Sequence, residues 1–128
     1  SETVATLLPL TAFVLKEPFA PGRAMIDAGC AVALASDFNP GSCYSQSIPL
    51  IIALAVLYMG LSIEETLTAL TLNGAAACGI ADSYGSLEPG KKADFIVLDA
   101  PDYRYLAYNT GMNIVHSVYK HGQIVHKR

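Results

Sequence analysis

Charge is what this sequence has least of. Only 15% of its 128 residues are Asp, Glu, Lys or Arg, against about 25% in an ordinary soluble domain, while 52% are apolar. A surface so poor in charge implies that part of it is covered by something else. The net charge is −3, with Lys and Arg scattered along the chain, so there is no electrostatic reason to expect nucleic acid or an anionic membrane as partner. Long apolar runs are also missing. The longest, residues 48–59, falls well short of the roughly 20 residues that span a bilayer, and reads as a buried helix. No basic region followed by an apolar stretch stands near Ser1, so no signal peptide is expected. The three cysteines, Cys30, Cys43 and Cys78, are odd in number and have no Cys-x-x-Cys spacing. That argues against a disulfide framework or a zinc ribbon and for a reducing, cytoplasmic setting. There is no Walker loop, no Gly-x-Ser-x-Gly elbow and no Gly-x-Gly-x-x-Gly turn, which removes the sequence signatures of nucleotide binding and serine hydrolysis.

What is present is a succession of short elements with legible ends. Thr3-Val4-Ala5-Thr6-Leu7-Leu8-Pro9 is an apolar, partly β-branched run closed by proline, as in a strand. Residues 10–20 are ambiguous, because Pro18 and Pro21 break a helix there. Residues 22–29 are helix formers stopped by Gly29. Ala31-Val32-Ala33-Leu34-Ala35 is a run of small apolar residues without charge, expected as a strand buried on both faces. Strand, helix and strand in that order predict a βαβ unit with parallel strands and a right-handed crossover.

Ser47 can cap a helix with Pro49 in its first turn, running to Gly60. That helix is apolar all round and needs cover on more than one side. Ser62-Ile63-Glu64-Glu65 is a capping box. It opens a second helix through Thr71, with Asn73-Gly74 as an expected irregularity and Gly79 as its stop. From Asp82 the pattern turns to short strands: Phe95-Ile96-Val97-Leu98, then two strands about His121-Gly122. A module boundary is expected near Ser83, dividing the chain into residues 1–82 and 83–128.

Two groups of residues could carry chemistry. His116, His121 and His126 lie in the last β segment. A two-residue turn would pair Ser117 with His126 and send His116 to the other face, so that the two could not share a metal; a one-residue slip would reverse this. The second group follows the buried strand. Asp37 stands where the apolar run ends, and Phe38-Asn39-Pro40-Gly41-Ser42 cannot continue a strand. The carboxyl ends of parallel strands are where α/β proteins place their chemistry, although a lone Asp there can also do no more than cap its loop. Asp37, Asn39, Gly41 and Ser42 together offer a carboxylate, an amide, an open backbone and a hydroxyl, a set suited to a small polar ligand beside a metal. One Asp is too few ligands for Zn²⁺. Cys43 adjoins the loop but has no base near it in sequence, and reads as an ordinary thiol.

Ala33-Leu34-Ala35-Ser36-Asp37-Phe38-Asn39-Pro40-Gly41-Ser42 resembles the eighth-strand motif of the imidazolonepropionase family, within the amidohydrolase superfamily. Residues 3–9 are similar to that family's seventh strand, Leu70-Thr71-Leu72-Asn73-Gly74-Ala75-Ala76 to its Thr-x-Asn-Ala-Ala helix, and residues 85–94 to the superfamily's return to a small β-domain. Tyr108-Asn109-Thr110-Gly111-Met112-Asn113 and Lys120-His121-Gly122-Gln123-Ile124-Val125 match the family's ending. Leu10 and Gly74 depart from the expected glycine and alanine, away from the loop.

The resemblance covers this whole chain but only the last third or so of the family's enzyme. It implies an α/β fold: the last βα units of a (β/α)8 metal-dependent hydrolase barrel over residues 1–82, and strands of a small composite β-sandwich over 83–128. A complete barrel needs roughly 250 residues. The resemblance further implies one divalent metal, Zn or Fe, with histidine ligands on strands absent from this chain, and Asp37 as the remaining ligand and the acceptor of a proton from the attacking water. Asn39 and Gly41 fall where the family holds the formimidoyl-glutamate product, and Ser42 where it holds the imidazolone-propanoate substrate. The expected activity is hydrolysis of 4-imidazolone-5-propanoate to N-formimidoyl-L-glutamate by the whole enzyme, with the 128 residues alone inactive. The partners expected are a small-molecule substrate and either a homo-oligomer or the missing N-terminal part. Two alternatives stand beside this reading: another amidohydrolase or aminohydrolase acting on a heterocycle, and a non-catalytic interaction module.

Overall fold

The computed structural model describes residues 2–128, so Ser1, the first residue of the expected unit 1–82, lies outside it. The chain opens with β1 (Ala5–Leu7), α1 (Pro9–Leu15), α2 (Gly22–Asp27) and β2 (Val32–Leu34). β1 and β2 pair in parallel, Ala5 with Val32 and Leu7 with Leu34, as the βαβ pattern requires. β2 is buried along its whole length, which accounts for a strand of uninterrupted small apolar residues. The ambiguous stretch after Pro9 is a helix. Proline in its first turn removes no needed amide, and Lys16, left-handed at φ 57°, ends it two residues before Pro18. Leu10 is completely buried against the core around Leu7, Val32, Leu34, Ile51 and Leu54, so the side chain in place of the expected glycine is a packing element.

α3 (Ile48–Tyr58) starts where Ser47 Oγ accepts the Leu50 amide, with Pro49 in the first turn. Its middle, Ile51 to Ala55, is buried without a break, so the helix is covered on more than one side. α4 (Ile63–Leu70) begins with the predicted capping box in full, Ser62 and Glu65 each receiving the other's backbone amide. The irregularity comes earlier than expected. Thr71 breaks the helix at φ −112° and ψ −83° while its hydroxyl turns back to the Leu67 carbonyl, and Asn73 and Gly74 lie within the following α5 (Leu72–Ala77). Asn73 Nδ2 donates to the Val32 carbonyl at 2.8 Å. The break thus aims an amide side chain at the buried strand.

The remaining strands form a separate antiparallel sheet, β3 (Phe95–Leu98), β4 (Val115–Lys120) and β5 (Gln123–Lys127), in the order β3-β4-β5; α6 (Tyr105–Tyr108) lies between β3 and β4. Gly85 seats the segment leading into this sheet against the α4–α5 junction. Its φ is +95°, and a Cβ there would come within 2.9 Å of the Thr71 carbonyl oxygen, so only glycine fits. Ile52, Leu106 and Ile114 make a second small core between α3, α6 and the start of β4. His121 and Gly122, at φ 50° and 75°, make the expected two-residue turn.

The register beyond the turn is corrected by the structure. A bulge between Val118 and Tyr119 pairs His126 with Val118 and Lys127 with Ser117, one residue away from the expected partners. His116 and His126 therefore fall on one face of the sheet. A bulge adds a residue to one strand only, which turn length cannot reveal.

Candidate functional site

β2 ends at Leu34, and three residues later the chain turns over at Asp37, whose φ of 51° is left-handed. Asp tolerates that conformation better than most residues. Phe38 to Cys43 then fold back on themselves, with the Asn39 amide donating to the Cys43 carbonyl at 2.9 Å. Asn39 organises the loop. Its Oδ1 accepts the Gly41 and Ser42 amides at 2.9 and 2.8 Å, and its Nδ2 donates to the Asp37 carbonyl at 2.7 Å and to Ser42 Oγ at 3.0 Å. Gly41 packs closely in that turn: a Cβ there would stand 3.2 Å from Asn39 Oδ1 and press on the amide that closes the loop. Cys43 is buried beneath the loop and its thiol donates to the Ser36 carbonyl at 3.3 Å, the place of an anchor and not of an exposed nucleophile. Phe38 and Tyr44 flank the loop as an exposed aromatic pair, ring centres 5.0 Å apart.

The structure thus brings Asp37, Asn39, Gly41 and Ser42 into one hydrogen-bonded loop. It adds a residue that the sequence reading missed. Thr11 Oγ1 on α1 donates to Asp37 Oδ2 at 2.8 Å across 26 positions of sequence. The signal for it was present: paired parallel strands end side by side, so a polar residue soon after the first faces one soon after the second. The histidines stay apart from this loop, in β4, the hairpin turn and β5.

Among the described residues no three His, Cys, Asp or Glu side chains come together to hold a metal. The loop offers one carboxylate with Oδ2 held by Thr11 and Oδ1 free of hydrogen bonds from described residues. One such oxygen fits a share in a cation site whose other ligands come from elsewhere, since Zn²⁺ takes about three protein ligands or more. Nor is the loop enclosed. Two apolar grooves of about 750 and 670 Å³ run between the helices and the β3-β4-β5 sheet, and neither is lined by Asp37, Asn39, Gly41 or Ser42.

Surface ion pairs shift the titration of several carboxylates. The Arg23 guanidinium, on α2, donates to both carboxylate oxygens of Glu65 and to Asp27. It holds Glu65 below the usual carboxylate range, with the Ser62 amide adding to the effect. Asp94 is likewise lowered, first by Lys120 and then by the His121 amide.

A family model described as the amidohydrolase family matches residues 2–125. Among curated proteins, the chain is 62% identical over 126 residues to an imidazolonepropionase of Porphyromonas gingivalis, covering 98% of this chain and 30% of that protein. To one of Bacteroides thetaiotaomicron it is 66% identical over 121 residues, covering 94% and 29%. To one of Clostridium tetani it is 58% identical over 127 residues, covering 99% and 30%. The chain therefore spans about 30% of the length of these relatives. Among solved structures, a zinc-bound adenosine deaminase from Xanthomonas campestris superposes with a TM-score of 0.83 at 26% identity, over 94% of this chain and 31% of that one. An Escherichia coli guanine deaminase superposes at 0.74 and 20% identity, over 99% and 34%, a likeness of fold alone.

Proposed function

Because the chain belongs to the amidohydrolase family, we propose that it is the C-terminal portion of an imidazolonepropionase. In the whole enzyme, Asp37 would be one ligand of a divalent metal, Zn or Fe, and the residue that moves protons, while the loop of Asn39, Gly41 and Ser42 would hold the substrate. The observation that carries this reading is the Asp37 loop: a carboxylate with one open oxygen at the end of a buried parallel strand, above a hydroxyl and a glycine backbone fixed by Asn39. Identity of 58–66% to imidazolonepropionases over nearly the whole chain supports the choice of substrate.

Hydrolysis of 4-imidazolone-5-propanoate to N-formimidoyl-L-glutamate breaks the lactam C–N bond, because the product keeps its formimidoyl group and gains a carboxylate. The oxygen of water joins the carbonyl carbon, and one of its protons must reach the departing ring nitrogen. A divalent cation held by Asp37 and the ligands from outside this chain would lower the pKa of water towards about 7 and polarise the carbonyl. Asp37 would accept the proton from water and hand it to the ring nitrogen, work that a carboxylate at hydrogen-bond distance performs. Ser42 Oγ and the Gly41 backbone would position the substrate's polar groups, and Asn39 would keep both where they are. Residues 2–82 would be the last βα units of the barrel, with β1 and β2 as neighbouring strands whose outer edges other strands cover. Residues 83–128 would supply strands of the small β-sandwich. The three free cysteines fit a cytoplasmic enzyme, and no helix among the described residues is long and apolar enough to cross a membrane.

The test uses the full-length enzyme. Purified with zinc, it should hydrolyse imidazolone-propanoate, and Asp37→Ala should lose both metal and turnover. The likeness of fold to adenosine and guanine deaminases favours a second reading, an aminohydrolase acting on a heterocyclic base. Turnover of adenosine or guanine with none of imidazolone-propanoate would replace the first reading with the second. Unchanged metal content and activity in Asp37→Ala would point instead to a non-catalytic module.

A further inference from the structure

Asp37 is held at two points. Its backbone carbonyl accepts Asn39 Nδ2 at 2.7 Å from within the loop, and its carboxylate accepts Thr11 Oγ1 at 2.8 Å from α1. The first contact accounts for the left-handed backbone at Asp37, a conformation that persists only where its surroundings fix it. It leaves the carboxylate free to turn about two side-chain torsions. Thr11 removes that freedom, and it sits on a firm support: Pro9 and Leu10, just before it on α1, are buried, and a β-branched side chain has few rotamers of its own. The parallel register that sets Leu7 beside Leu34 brings the two residues together. No other hydrogen bond between described residues reaches the carboxylate, so Oδ2 is occupied and Oδ1 is not.

Resting on the reading of Asp37 just given, we propose that Thr11 is a positioning residue: its hydroxyl fixes the plane of the Asp37 carboxylate through Oδ2 and leaves Oδ1 as the oxygen that meets the metal and the attacking water. A neutral hydroxyl suits this role. It occupies one oxygen without bringing a charge that would compete with a cation. Hydrogen-bond partners of ligating side chains typically contribute 10–100-fold to metal affinity or activity.

The test is made on the full-length enzyme with Thr11→Val, which keeps the shape, Thr11→Ser, which keeps the hydroxyl, and Asp37→Ala. Zinc affinity is measured by competition with a chromogenic chelator, alongside kcat, KM and the thermal midpoint. Thr11→Val should weaken zinc binding by about 10–100-fold and lower kcat with little change in KM, and Thr11→Ser should restore both. Wild-type zinc affinity and kcat in Thr11→Val, with both lost in Asp37→Ala, would overturn the role of Thr11 and leave that of Asp37 standing. A loss in Thr11→Val that Thr11→Ser does not repair would also overturn it, because packing and not the hydroxyl would then be at work. Should the valine variant not fold, Thr11→Ala against Thr11→Ser gives the same contrast, and equal zinc affinity in the two sinks the proposal. Retention of zinc by Asp37→Ala would remove the underlying reading of the site instead.

Discussion

Asn39 shows how one side chain can serve both shape and chemistry. All its polar capacity is spent inside the loop, on the Asp37 carbonyl, the Gly41 and Ser42 amides and Ser42 Oγ. Asn39→Asp keeps the acceptor oxygen for the two amides but replaces the donor to Asp37 with a second carboxylate. We expect it to lower turnover of the full-length enzyme far more than it lowers the thermal midpoint, whereas Asn39→Ala should lower both, at about 0.5–1.5 kcal/mol of stability for each hydrogen bond lost. Kinetics and differential scanning calorimetry on the two variants separate these outcomes. Equal losses of stability would mean that the acceptor oxygen contributes nothing to the loop.

At the scale of elements, helix ends carry much of the specificity. Ser62→Ala removes half of the capping box and should cost about 1 kcal/mol, read from urea denaturation. Glu65 does more than close that box, because its ion pair with Arg23 ties the start of α4 to α2. Its carboxyl is lowered from 4.5, chiefly by Arg23. A carboxyl whose folded value is depressed stabilises fully above its unfolded value and loses that contribution as pH falls through the lowered one. The stability gap between wild type and Glu65→Gln should thus be constant above pH 4.5 and close as the pH is lowered below it, measured by denaturation at a series of pH values. Gly74 offers the reverse case. It lies inside α5, its φ is not positive, and a Cβ would sit 3.5 Å from the Ala69 carbonyl oxygen, an ordinary contact. Gly74→Ala should raise stability by about 0.4–1 kcal/mol, through loss of freedom in the unfolded chain.

The whole molecule exposes more than its mass explains. Its accessible surface is 7881 Å² for 13.6 kDa, where a compact monomer of that mass shows about 6,600 Å². Part of the excess is apolar, including Phe13, Val14 and Leu15 at the end of α1 and Leu57 and Tyr58 at the end of α3. Among the described residues β1 and β2 form a parallel sheet of two strands, a kind of sheet normally buried within a larger one. The 128-residue chain by itself should therefore self-associate in light scattering as its concentration rises, and a clean monomer throughout would count against an incomplete barrel. After dialysis against zinc it should retain no stoichiometric metal by atomic absorption and show no turnover, because a single carboxylate is too few ligands.

Much of this was legible from the residues alone. The all-apolar run of β2, the Pro and Gly stops, the cap at Ser47, the capping box at Ser62 and the His121-Gly122 turn are local signals, each set by the conformational preference or hydrogen-bonding capacity of a few adjacent residues. The loop motif likewise grouped Asp37, Asn39, Gly41 and Ser42, which share one hydrogen-bonded loop, while the roles given to them are proposals. The helix break at Thr71, the bulge that moves His126 opposite Val118 and the hydroxyl of Thr11 on Asp37 were decided only in three dimensions. The break and the Thr11 bond depend on contacts between segments distant in sequence, and the bulge on a pairing within the hairpin that the turn residues do not set, so packing and register outweigh local preference.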